Sequence, residues 1–231
     1  MNQKINLPIA GTEDTYTVGP TKIICLGLNY AAHAAETNRK PPKKPLLFPK
    51  TPNVLIGPNS PIIYPNVLKE IGLERVDYEG ELAIIVGKQG KNIKKENFSE
   101  FILGYSCFND VTARALQLHD RGNAHPWFKS KSLDTFGAIG PQLVLHDDIG
   151  NPNDLHLQTR QNNNVVQETN TSDMIFHVDY IMEFISKFFT LYPGDIIATG
   201  TPSGIGPLAV GDTIEVEIQK IGTLQNKVQA E

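Results

Sequence analysis

The sequence predicts a strand-dominated α+β fold, and three features point to it. Short apolar runs bounded by Gly, Pro, Asn or Asp recur along the chain, from Ile23-Ile24-Cys25-Leu26 to the segment 213–228. Helical spacing of apolar residues is sustained over one long segment only, 173–190. Strand and helix signals do not alternate regularly, which argues against the βαβ units of a Rossmann-type sheet. The 231 residues predict a single domain over 1–231, with a short N-terminal extension over 1–20. A chain of this size buries roughly 70–75% of its unfolded surface, so it needs no disulfide or structural metal to fold.

The elements follow in order. Residues 22–28 form the first convincing strand, and Asn29 stands where an N-cap would open a short helix over 30–36. Pro41, Pro42, Pro45, Pro49 and Pro52 break the next stretch into a loop carrying a short strand, 46–48. The segment 76–87 ends in the unbroken run Leu82-Ala83-Ile84-Ile85-Val86 and predicts a buried strand. A strand over 101–108 and a helix over 111–119 come next. Residues 120–141 show no clear period and many polar and positive side chains, which predicts a long functional loop before a strand at 143–145. Strands 155–160 and 165–168 flank Asn162-Asn163-Asn164, and the tolerance of Asn for positive φ marks a hairpin. Ser172 is the expected cap of the long helix 173–190. Its Ile175, Phe176, Ile181, Met182, Ile185, Phe188 and Phe189 predict a core-facing stripe. Gly194-Asp195 and Gly211-Asp212 read as turns feeding the last strands.

Composition narrows the function classes. A net charge of −4 argues against nucleic acid or an anionic membrane as partner. No apolar run approaches a membrane span, and residues 1–11 lack the apolar centre of a secretory signal, so a cytoplasmic location is expected. Cys25 and Cys107 lie in apolar surroundings and read as free, buried thiols of a reducing compartment.

The chemistry concentrates in carboxylates. Side chains alternate along a strand, so Glu79 and Glu81 project to the same face with Gly80 between them. Two like charges beside an apolar strand repel and resist desolvation, and a divalent cation removes both problems. Oxygen-only ligation suits Mg²⁺, Mn²⁺ or Ca²⁺ rather than zinc. The alternative is a solvated strand end exposing Asp77, Glu79 and Glu81. Asp110, at the end of the next strand, can aim a third carboxylate into the same space. His33 and Glu36 are three apart on the short helix and share a face. That pair is either a general base with its orienting carboxylate or an ordinary surface ion pair. Lys131, beside an apolar segment, is a candidate to hold a substrate oxyanion, whereas Lys129 reads as solvated. The loop from Gly200 to Gly206 matches neither a P-loop nor a dinucleotide fingerprint, but its N–H groups can cradle a small carboxylate. His119, His125, His146, His156 and His177 show no metal spacing, and no G-x-S-x-G elbow occurs.

Five motifs, in this order, resemble the fumarylacetoacetate hydrolase family from about residue 22 to the C-terminus. They are Gly27-Leu28-Asn29-Tyr30-Ala31-Ala32-His33-Ala34-Ala35-Glu36, Asp77-Tyr78-Glu79-Gly80-Glu81-Leu82, Asn109-Asp110-Val111-Thr112-Ala113-Arg114, Lys131-Ser132-Leu133-Asp134-Thr135-Phe136 and Thr199-Gly200-Thr201-Pro202-Ser203-Gly204. The resemblance implies a mixed β-roll of that family's C-terminal catalytic type, Mg²⁺ or Mn²⁺ as cofactor, and a homodimer. It implies Glu79, Glu81 and Asp110 as metal ligands, and His33 with Glu36 as a base dyad on a mobile lid. It further implies Lys131 as oxyanion partner and Arg114, Gln117 and Thr201 as substrate contacts. The short chain is similar to the acylpyruvase and oxaloacetate decarboxylase branch, although Leu28 stands where many acylpyruvases carry Arg. The expected activity is metal-dependent C–C hydrolysis of acylpyruvate-type 2,4-dioxo acids through a pyruvate enolate. The alternatives are oxaloacetate decarboxylation, isomerisation of the 2-hydroxyhepta-2,4-diene-1,7-dioate type, and a non-catalytic binding protein with a structural cation.

Overall fold

The unbroken apolar runs belong to a sheet covered on both faces. The computed structural model describes residues 4–231; Met1 to Gln3, the start of the expected N-terminal extension, lie outside the described residues. The described chain opens with a hairpin, β1 (Ile5–Pro8) and β2 (Thr15–Val18). Next come β3 (Ile23–Gly27), α1 (Ala31–Glu36), β4 (Leu46–Lys50), β5 (Leu55–Ile56), β6 (Ile62–Tyr64) and α2 (Asn66–Glu70). The carboxylate segment forms β7 (Val76–Tyr78) and β8 (Gly80–Val86), followed by β9 (Ile102–Asn109) and β10 (Thr112–Ala113). Helices α3 (Arg114–Gly122) and α4 (Phe128–Lys131) lead into β11 (Gly137–Leu145) and α5 (His146–Ile149). The rest is β12 (His156–Gln161), β13 (Asn164–Asn170), α6 (Val178–Phe188), β14 (Ile196–Ala198), β15 (Gly206–Pro207), β16 (Thr213–Ile218) and β17 (Gly222–Ala230).

The main sheet has the order β4-β3-β14-β8-β9-β11-β5, and the second has the order β13-β12-β16-β17-β6. In the main sheet β3 runs parallel to β14 and β11 parallel to β5, while the other neighbours are antiparallel. The mixed, strand-rich α+β class predicted from the sequence is therefore the one observed. Alternate residues of each central strand enter different layers. Leu82, Ile84 and Val86 join a core shared with α6 and the second sheet, while Ala83 and Ile85 join a core shared with the N-terminal hairpin. Each such Val, Leu or Ile contributes about 1.5–3 kcal/mol on full burial. The hairpin is integral to that second layer: Leu7 and Val18 are fully buried, and Ile9 bridges to Leu143. Pro49 is accommodated because β4 is an edge strand, where a missing N–H costs no ladder bond.

Several local expectations need correction. The long helix starts at Val178, not Asp173, and ends at Phe188. Residues 171–173 form a 3₁₀ turn capped by Asn170 and closed by a capping box with Asp173, so Ser172 is not the helix cap. The reason lies in Asn29. Its side chain accepts from Phe176 N–H (2.8 Å) and donates to Phe176 O (3.0 Å), tying up both backbone groups outside any helix. For the same reason Asn29 does not cap α1, whose N-cap position is Tyr30. Ile181, Met182 and Ile185 are core as expected, but Phe188 and Phe189 are exposed. The segment 111–119 divides into β10 and α3, because Thr112 and Ala113 pair with Asp77 and Val76. Residues 120–141 are not one loop; they hold the end of α3, all of α4 and the start of β11. The Asn162-Asn163 turn has φ of 51° and 66°, as the hairpin requires.

Candidate metal centre and active site

The carboxylates converge because of strand register. Gly80 pairs with Asn109 and Glu81 with Phe108, so Glu79 and Asp110 stand opposite each other just beyond the ladder. Asp110 N–H donates to Glu79 O (2.9 Å), and Glu79 N–H donates to Asn109 Oδ1 (3.0 Å). Carboxylate oxygens of Glu79, Glu81 and Asp110 come within 4.8 Å of one another, and all three residues are buried. Gly80 is required at this point, since a Cβ there would lie 2.2 Å from Thr159 Oγ1 of the second sheet. Its N–H instead donates to Gln167 Oε1 (3.0 Å). Gln167 Nε2 in turn donates to Thr201 Oγ1 (2.9 Å), and Thr201 Oγ1 donates to Gly80 O (3.0 Å). The segment carrying the two glutamates is thereby pinned from the second sheet and from the loop after β14.

Charge compensation around the carboxylates is uneven. Lys131 Nζ donates to Glu79 Oε2 (2.8 Å) and Asp110 Oδ2 (2.6 Å). Lys50 Nζ donates to Asp110 Oδ1 (2.5 Å) and Val111 O (3.0 Å). Arg114 donates to Glu79 Oε1, to Asp77 Oδ2 (2.9 Å) and to Gln117 Oε1. Asp77, which the solvated-strand alternative left exposed, is fully buried and also accepts from Arg75. Glu81 accepts from Gly200 N–H (2.8 Å) and, among the described residues, from no cationic side chain. Burial, then Asp110 and Glu79, push its carboxyl well above the ordinary range. Burial also opposes ionisation of Glu79, but Lys131 and Arg114 outweigh it and hold Glu79 below that range. Burial works against the charge of Lys131 too, yet Asp110 and Glu79 raise it above an ordinary lysine. At Lys50 burial prevails and lowers it, with Asp110 offsetting part of the effect. Three oxygen donors with one uncompensated carboxylate among them suit a hard divalent cation.

The other predicted residues border the same cleft. It has a volume of about 290 Å³ and is lined by His33, Glu36, Glu79, Glu81, Arg114, Gln117, Lys131 and Thr201 among others. His33 Nδ1 pairs with Glu36 Oε2 (3.0 Å), and Glu36 Oε1 accepts from Gly204 N–H (3.0 Å). Arginine has only donors, so its bond to Gln117 Oε1 leaves the Gln117 Nε2 donors for another partner. Lys131 and Lys129 separate as expected, with side chains 2% and 61% exposed. The Gly-rich loop does hold carboxylates, but they are the protein's own: Gly200 binds Glu81 and Gly204 binds Glu36. Cys25 and Cys107 are free and buried, and burial raises both thiols far from a reactive state. Lys50 and Asp77 are buried parts of the site that sequence reasoning missed. For Lys50 a signal existed, since period-two spacing from Phe48 places it on the same buried face.

Comparison with known proteins agrees with this geometry. Residues 22–229 match the model of the fumarylacetoacetate (FAA) hydrolase C-terminal family. An uncharacterised protein of Pyrococcus abyssi is 48% identical over 216 residues, covering 94% of this chain and 93% of its own. An oxaloacetate tautomerase of Rattus norvegicus is 40% identical over 216 residues, covering 90% of this chain and 66% of its own. The structure of a fumarylpyruvate hydrolase from Pseudomonas aeruginosa, in complex with Mn²⁺ and pyruvate, superposes with a TM-score of 0.90. It is 29% identical and covers 99% of this chain and 97% of its own. With its strand-rich fold, buried carboxylate trio and family model matched over 22–229, the chain belongs to the fumarylacetoacetate hydrolase family.

Proposed function

We propose that the protein is a Mg²⁺- or Mn²⁺-dependent enzyme that cleaves acylpyruvate-type 2,4-dioxo acids by C–C hydrolysis. The observation that carries the reading is the convergence of Glu79, Glu81 and Asp110 in a cleft that also presents His33, Glu36 and Lys131. Glu79, Glu81 and Asp110 are the residues to hold the cation. Bound there, a divalent cation supplies Lewis-acid polarisation of the substrate's 2-oxo group. Glu36 accepts the Nδ1 proton of His33, which fixes the tautomer and leaves Nε2 as the basic nitrogen. His33 takes a proton from water, and the hydroxide adds to the distal carbonyl carbon. The C–C bond on its pyruvate side then breaks, releasing the carboxylic acid, its electron pair passes into the pyruvate enolate, and His33 returns the proton to the enolate's methylene carbon. Lys131, held cationic, hydrogen-bonds the enolate oxygen, and Gln117 Nε2 donates to the substrate. Thr201 shapes the floor, since its hydroxyl is engaged by Gly80 O and Gln167. Arg114 acts through the carboxylates it braces.

The magnitudes require these groups together. A positioned general base supplies about 10²–10⁴-fold. One oxyanion donor contributes roughly 2.7–4 kcal/mol, and enzymatic acceleration starts near about 8 kcal/mol. Residues 30–42 serve as the lid, and their opening breaks the Glu36–Gly204 hydrogen bond. The test is a turnover panel of acylpyruvates, oxaloacetate and 2-hydroxydienoic diacids with Mg²⁺, Mn²⁺ or chelator. Metal-dependent cleavage of an acylpyruvate supports the reading, and tight metal binding without turnover supports a binding protein instead.

A second reading is keto–enol tautomerisation of oxaloacetate, favoured by the 40% identity to the Rattus norvegicus enzyme. It passes through the enolate of oxaloacetate itself, breaks no C–C bond and needs no attacking water, so His33 then only moves a proton between carbon and oxygen.

A further inference from the structure

The cleft has a second cationic pole away from the carboxylates. Arg114, Gln117 and Arg121 recur at helical spacing on one face of α3, and all three line the cleft. Arg114 braces Glu79 at one end, and Arg121 lies seven residues on, about 10 Å further along the helix axis. Arg39 approaches from the segment after α1. Its backbone N–H is tied to Ala34 O (2.8 Å), and its guanidinium lies over the Trp127 ring, 5.7 Å from the centroid. Arg39 and Arg121 line the same cleft, and burial, then the charge of Arg121, lower the pKa of Arg39. Arg75, also in the lining, is neutralised by Asp77. Arg39 and Arg121 make no ion pair with an acidic side chain among the described residues, and Glu36, the nearby carboxylate of the lining, is engaged by His33 and Gly204. Two cations lining one cleft without an ion-paired carboxylate are a poor arrangement for an empty site and a good one for a substrate carboxylate that reaches both.

We propose that Arg39 and Arg121 clamp the distal carboxylate of the substrate, so that the enzyme selects 2-oxo dicarboxylates over 2-oxo acids with a neutral tail. This rests on the 2-oxo acid reading above and narrows its substrate class. The oxo-carboxylate end lies toward Glu79, Glu81 and Asp110, Gln117 lies between the poles on α3, and the second carboxylate reaches the arginines. Trp127 flanks Arg39 and limits the positions its guanidinium can take.

The experiment compares fumarylpyruvate with acetylpyruvate, a diacid and a neutral-tailed analogue, on the Mn²⁺-loaded wild type and on Arg39→Gln, Arg121→Gln and the double variant. The wild type should prefer the diacid. The ratio of the two kcat/KM values should fall roughly 10- to 100-fold for each arginine removed, the loss of one charge-assisted hydrogen bond, mainly through KM. Arg121→Lys, which keeps a charge, should retain part of the preference. A second arm measures binding of 2-oxoglutarate against 2-oxobutyrate by calorimetry and by Trp127 fluorescence. A diacid preference in the wild type that disappears in the double variant supports the clamp. No preference in the wild type, or equal losses for both ligands in the variants, overturns it. If no 2-oxo acid is turned over, the activity assigned above fails, and the binding arm alone still decides on the clamp.

Discussion

Replacing Glu81 by Gln should reverse the ranking of wild type and variant according to whether metal is present. Glu81 is 1% exposed, and its carboxylate receives the Gly200 N–H but no cationic side chain. An ion taken out of water costs several kcal/mol even after relaxation, and one hydrogen bond to a charged group returns about 1.5–3 kcal/mol. Glu81→Gln keeps the shape and an acceptor for Gly200, removes the charge, and gives Glu79 and Asp110 a donor. In chelator the variant should therefore gain on the order of 1–2 kcal/mol, or roughly 2–8 °C in Tm for a chain of this length. The sign follows from the raised carboxyl. Its cost to folding is fully present above the raised pKa and is relieved as pH falls through it, so the advantage is largest at neutral to alkaline pH. With Mn²⁺ at a hundred times Kd, the wild type should gain about 2.7 kcal/mol, some 5–11 °C, while the variant gains little. Thermal melts at pH 8 with chelator and with Mn²⁺ read this directly. A variant less stable than wild type in chelator would show that Glu81 is compensated by something other than a cation. A wild type without a Mn²⁺ shift would remove the metal centre.

Four further outcomes follow from the same contacts. Lys50→Met strands Asp110 Oδ1 in the interior and should cost roughly 3–5 kcal/mol, a fall of about 6–20 °C in Tm; an unchanged melt would mean that the pair is not needed for folding. Mn²⁺ affinity should weaken as pH falls through the raised pKa of Glu81, approaching about tenfold per pH unit, with a proton released on binding; calorimetry in buffers of different ionisation enthalpy counts that proton, and none released would contradict the assignment. His33→Ala should lower hydrolytic kcat by about 10²–10⁴-fold with Mn²⁺ binding retained, and Glu36→Gln should do less. Equal losses of hydrolysis and of oxaloacetate decarboxylation, which needs no activated water, would make His33 a shaping residue rather than the base. Light scattering at micromolar concentration should give a dimer mass, the exposed Phe188, Phe189 and Tyr192 offering an apolar face to cover, and a monomer mass would refute that expectation.

What was legible in the sequence depended on how local the determining interaction was. Strand alternation needs only neighbouring residues, so Glu79 and Glu81 could be placed on one face, and the apolar run after them could be read as buried. Helix spacing likewise put His33 beside Glu36. The start of α6 was not legible, because it is decided by Asn29, 147 residues away, whose amide binds both backbone groups of Phe176. The same distance hid the role of Gly80. A glycine between two glutamates suggests a turn or a ligand, whereas here it makes room for Thr159 of another sheet. Lys50 shows the limit most clearly. A lysine in a proline-broken stretch is ordinarily solvated; strand spacing can put it on a buried face, but only its contact with Asp110, sixty residues away, makes it a buried counter-ion. That placement has a consequence for the reaction. Lys50 and Lys131 hydrogen-bond the two oxygens of Asp110, whereas Glu81 has no cationic partner among the described residues and resists ionisation. The lysines thus hold Asp110 in place, Glu81 is the carboxylate that only a cation relieves, and the difference between them gives the site a reason to bind metal.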